Sequence, residues 1–106
     1  MIVVQNALFR QHNRIAAELA DLNGHWDDER LYQEARRILI AQWQHIVYNE
    51  YLPAVIGRKK MEEVGIFPLE NGFSRDYDEN VNPSILNEFS AGAFRFGHSL
   101  VQGRQK

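Results

Sequence analysis

The chain has 106 residues, of which 44% are apolar and 25% charged, with a net charge of −2. That is ordinary composition for one small globular domain with a modest core, and without a basic excess it argues against nucleic acid as a partner. No cysteine is present, which excludes a disulfide framework, a thiolate metal site and a cysteine nucleophile, and no apolar run approaches the ~18 residues of a membrane span.

The opening "MIVV" lacks the charged n-region and long apolar stretch of a signal peptide. From Val4 onward, Leu8, Ile15, Leu19 and Leu22 recur at helical spacings, which predicts a helix over 3–22 with one apolar stripe that His12 completes. His12, in "RQHNR", is expected to be a packed, hydrogen-bonded side chain. Asn23-Gly24 predicts a left-handed stop. The stripe is already running at Val4 with no Ser, Thr or Asp before it, so the chain is expected to begin inside a helix.

A second helix is predicted from Asp27, with Asp28 and Glu29 placing negative charge where the helix dipole favours it. It should reach Tyr51 and stop before Pro53, because proline disfavours helical geometry in the residue before it. Leu31, Ala35, Ile38, Gln42 and Ile46 mark one face, yet Leu39, Ile40, Trp43 and Val47 make the second half apolar nearly all round. Such a helix belongs inside something larger than itself. Little chain is left to cover it.

Residues 58–64 predict a short helix closed by Gly65, and 66–82 a turn-rich irregular segment. Asn82 as a cap and Pro83 at the first helical position predict a third main helix over 83–102. The fold class is therefore all-α: three main helices plus a short one.

On that last helix Ala91, Phe94, Arg95, His98, Val101 and Gln102 share a face at α-helical spacing. Ala91 is small and Gly97 adds no bulk beside the histidine, so a flat object can come close. Haem is flat, takes an axial histidine and carries two carboxylates that suit a guanidinium. Taken alone, one histidine on a half-apolar helix is more often a packing residue.

Four strings add to this: "LFRQHNRIAAEL", "HWDDERLYQEARRILIAQWQHIVYNEYLP", "NVNPSILNEF" and "AFRFGHSLV". In this order and near this spacing they resemble the animal haem peroxidase family, with the invertebrate chorion-type branch nearest, from Leu8 to Val101. The resemblance implies that His98 is the proximal ligand of a haem b iron and that Arg95 contacts a haem propionate. It implies a peroxidase that uses hydrogen peroxide to oxidise halide or phenolic and tyrosyl donors, outside the cell. A ligating imidazole usually donates its other N–H to an acceptor that raises its basicity; in the family that acceptor is an asparagine well downstream. The family's distal histidine, catalytic arginine, haem-esterifying acids and calcium loop all precede the segment that matches Leu8. No catalytic residue is therefore assigned, and the calcium site is expected outside this chain. The chain is expected to be part of a larger peroxidase domain, with little turnover by itself.

His12, His25 and His45 form no metal signature, and His25-Trp26 and His45 are expected to be structural. Asp76, Asp78 and Glu79 lack the glycine and terminal glutamate of a calcium loop and predict a solvated turn. The alternative to a peroxidase piece is a non-enzymatic helical chain that binds a partner, or self-associates, through exposed core.

Overall fold

Ile15 and Ala35 are the buried residues of the first two helices, and the chain is organised around them from Ile2 onward. The computed structural model describes residues 2–101 and 103. Every regular element among them is helical, which establishes the all-α class. The chain falls into two units, residues 1–72 and 73–106.

In the first unit, α1 (Ile2–Leu22) packs against α2 (Asp28–Ile46). The predicted stripe of α1 is buried only in its middle: Leu8, His12 and Leu19 are half-buried, Val4 and Leu22 exposed. Polar bonds fix the pair as well. His12 Nε2 lies 3.2 Å from the Tyr32 carbonyl, which can only accept, and the His12 and Tyr32 rings are 5.0 Å apart. Gln11 Nε2 donates to Gln42 Oε1 at 3.1 Å. His12 is the packed, hydrogen-bonded side chain its place on the stripe required.

The turn between the helices corrects one expectation. Gly24 does not adopt a positive φ; among the described residues only Gly57, Gly65 and Gly72 do. The stop is made instead by Asn23, whose backbone N–H and side-chain Nδ2 both donate to the Leu19 carbonyl, at 2.9 and 3.1 Å. Trp26 then folds under Arg30, with the guanidinium carbon 4.4 Å from the ring centroid.

Asp27 caps α2 as predicted, accepting from the Arg30 N–H at 2.8 Å. Replacing it with alanine leaves that donor without its partner at the helix start. Asp27→Ala should therefore destabilise the first unit by about 1 kcal/mol, read as a lower urea midpoint by circular dichroism.

The end of the second helix differs from expectation. Instead of stopping at Tyr51, the helical path passes Pro53 through a π-helical turn, Val47–Tyr51, into α3 (Leu52–Ile56). In an unbroken α-helix the Pro53 ring would clash with the carbonyl four residues back, and its missing N–H would leave that carbonyl unpaired. The wider turn, with the Leu52 N–H reaching back to the Val47 carbonyl, takes up the extra residue and removes the conflict. Asn49 Nδ2 donates to the His45 carbonyl at 2.9 Å across this stretch.

Gly57 (φ 81°) separates α3 from α4 (Arg58–Glu63). Gly65 (φ 71°) closes α4 as predicted, and the Ile66 N–H reaches the Met61 carbonyl at 3.0 Å. Met61 is fully buried, and the described core consists of Met61, Ile15 and Ala35. Many apolar side chains stay outside it, among them Ile38, Ile40, Trp43 and Ile46 of α2.

In the second unit the predicted long helix over 83–102 does not form as one piece. Asn82 does use its side chain, but Oδ1 accepts from the Ser84 N–H at 3.0 Å, a bond two residues on that makes a turn rather than a helix start. The chain stays non-helical to Leu86, forms α5 (Asn87–Ala91), turns at Gly92 and continues as a 3-10 helix, Ala93–Leu100. Phe89 and Phe94, with ring centroids 5.9 Å apart, pack the two short helices together. Gln102 lies outside the described residues.

Candidate functional site

Arg95 and His98 both sit on the 3-10 helix, and its pitch changes which neighbours they have. At 3.0 residues per turn, side chains three apart eclipse, whereas in an α-helix they diverge. Arg95 and His98 therefore share one edge, while Phe94 moves to another edge with Gly97 and Leu100. The predicted six-residue face is replaced by a narrower ridge. Its two chemically useful members stay together, about 6 Å apart along the axis at ~2 Å per residue.

Local bonds hold this ridge. The Arg95 N–H donates to the Gly92 carbonyl at 3.0 Å and the Val101 N–H to the His98 carbonyl at 3.4 Å. Ser99 Oγ donates to the Phe96 carbonyl at 2.7 Å. Arg95 Nε donates to the Ala91 carbonyl at 3.1 Å, which leaves the terminal N–H groups of the guanidinium for another acceptor. The His98 imidazole is exposed. Beyond its own chain neighbours and the helix backbone, Gly97 has no atom within 4 Å of where a Cβ would stand.

The donor set fits a haem. An imidazole is an ordinary axial ligand for haem iron. A guanidinium on the same edge supplies charge-assisted hydrogen bonds to carboxylates. No cluster of three or more metal-ligating His, Cys, Asp or Glu side chains occurs among the described residues.

The other candidates fall to structural roles. His12 is committed to Tyr32. His25 packs edge-on against Trp26, with ring centroids 6.4 Å apart. His45 Nδ1 lies 3.3 Å from Asn49 Nδ2. In "RDYDEN", Ser74 and Asp76 hydrogen-bond to each other, and Asp78 Oδ1 accepts from both the backbone and the side-chain nitrogen of Asn80 at 2.9 Å. The Asn80 backbone N–H, more than its side chain, holds the Asp78 carboxyl below the usual carboxylate range. The segment is a pair of solvated turns.

Sequence reasoning valued Ala91 for its small side chain and missed its carbonyl. The signal was present: a glycine directly after it, where a helix tends to end, and an arginine four residues on whose side chain can reach back.

Comparison with known proteins points the same way. The family model for animal haem peroxidase matches residues 1–106. Chorion peroxidase from Drosophila melanogaster is 53% identical over 104 residues, covering 98% of this chain. The peroxidasin homolog from Homo sapiens is 45% identical over 93 residues, covering 88% of this chain and 6% of that protein. Peroxidase A from Dictyostelium discoideum, a solved structure, superposes with a TM-score of 0.63 at 46% identity, over 86% of this chain and 16% of that one. The chain spans 13% of the length of the fly chorion peroxidase it matches.

Proposed function

We propose that this chain, which belongs to the animal haem peroxidase family, supplies the proximal side of a haem peroxidase domain, with His98 as the axial ligand of iron and Arg95 as the partner of a haem propionate. The observation that carries the reading is the exposed imidazole and the guanidinium on one edge of the 3-10 helix, at positions where the "AFRFGHSLV" string resembles the family's proximal motif. Haem b held there would supply the redox chemistry that couples hydrogen peroxide to the oxidation of halide or phenolic and tyrosyl donors. The residues of this chain do two things: the His98 ring presents a nitrogen lone pair, and the Arg95 guanidinium orients a carboxylate.

A peroxidase also needs a distal base to move a proton between the peroxide oxygens and a cation to polarise the O–O bond. No residue here is assigned to either role, and the calcium of the full-length family is placed outside this chain. The domain assignment follows: residues 1–106 are part of a larger peroxidase domain whose setting is extracellular. By itself the chain turns over little. Titration with hemin tests the reading. A Soret shift that saturates at one equivalent, with negligible guaiacol oxidation on adding peroxide, supports it; no spectral change at any ratio refutes it.

A second reading has its own observation. Ile38 and Ile46 line an open groove with Gln11, Gln42 and His45, and Trp43 of the same helix is 44% exposed. A chain with so much uncovered apolar surface is a candidate for self-association. Size-exclusion chromatography separates the readings: concentration-dependent oligomers with no hemin response favour association, and a monomer that shifts the Soret band favours the haem site.

A further inference from the structure

Arg95 departs from the ordinary course of a helix. In an unbroken α-helix its backbone N–H would donate four residues back, to the Ala91 carbonyl. Here that N–H donates three back, to Gly92 at 3.0 Å, and the Ala91 carbonyl accepts the side-chain Nε–H instead, at 3.1 Å. The side chain stands in for its own amide at the last carbonyl of α5, one of the C-terminal acceptors that a helix otherwise leaves unmatched. Gly92, at φ −129° and ψ −72°, is the residue where the pitch changes.

We infer that Arg95 is a positioning residue for His98: by holding the Ala91 carbonyl through Nε, it keeps the segment at the 3-10 pitch and so sets the direction in which the imidazole leaves the helix. The two pitches differ by about 20° per residue. Between Gly92 and His98 that accumulates to about 120°, enough to turn the ring to a different side. The inference takes its ligand from the haem reading, while its geometry stands apart from it.

Two substitutions separate positioning from charge. Arg95→Gln keeps an N–H donor at the place of Nε and removes the positive charge; Arg95→Met removes both. Each variant of the chain, with wild type and His98→Ala, is titrated with hemin and with a tetracationic iron(III) porphyrin that has no carboxylate. Arg95→Gln and Arg95→Met carry the same charge, so the carboxylate-free porphyrin should bind through His98 about tenfold more weakly to Arg95→Met than to Arg95→Gln, the scale of losing a group that orients a metal ligand. Hemin should bind both variants more weakly than wild type. Without any porphyrin, NMR of Arg95→Met should gain the Hα(91)–HN(95) contact of an α-helix, which wild type and Arg95→Gln lack. If both variants bind the carboxylate-free porphyrin equally, or if Arg95→Met keeps the 3-10 contact pattern, the inference is overturned. If wild type shows no His98-dependent spectrum with either porphyrin, the haem reading fails instead, and the NMR comparison still decides the role of Arg95.

Discussion

His98→Ala is expected to abolish the Soret shift that one equivalent of hemin produces in the wild-type chain. The physical ground is the donor set. Of the four histidines, His12 is engaged with the Tyr32 carbonyl and ring, His25 lies against Trp26 and His45 lies within reach of the Asn49 amide. His98 is exposed and has the guanidinium of Arg95 on its own edge. The matching control is His12→Ala, which should leave the spectrum unchanged while loosening the contact between α1 and α2. His98→Gly provides a sharper version: free imidazole added to that variant should restore the spectrum, because the missing ligand is then replaced without the chain. Retention of a wild-type titration in His98→Ala would end the assignment.

Met61→Ala is expected to destabilise the unit of residues 1–72 by about 2–5 kcal/mol, the usual range for emptying the place of a large buried apolar side chain. Small domains hold only about 5–15 kcal/mol against unfolding. The described core has three members, and Met61 is the largest of its fully buried side chains. Met61→Leu, which conserves volume, should cost less than about 1.5 kcal/mol. Urea unfolding followed by far-ultraviolet circular dichroism reads both. Equal midpoints for Met61→Ala and wild type would show that α4 contributes no packing to this unit.

Much of the fold was legible from sequence because its signals act within one helical turn. Asp27 caps α2 through a bond three residues on, and Gly65 ends α4 through its own positive φ. The helix after Asn82 was misjudged for a related reason. An asparagine followed by proline serves equally as a helix cap or as a turn, and the Ser84 N–H took the side chain for a turn. Proline at position 53 predicts a stop, whereas a single π-helical turn lets the chain pass it. That choice depends on how five consecutive carbonyls share their donors, which no single residue type announces.

By itself, the sequence determined the helical class, the cap at Asp27, the stop at Gly65 and the family resemblance, since each rests on residue identity and short spacing. Only the folded chain decided which apolar residues are enclosed, because burial needs a partner surface and Ile15 finds one while Trp43 does not. It also decided the pitch that carries His98. The bonds three and four residues back are close in energy, and in the folded chain the Arg95 amide donates to Gly92 while its side chain takes the Ala91 carbonyl.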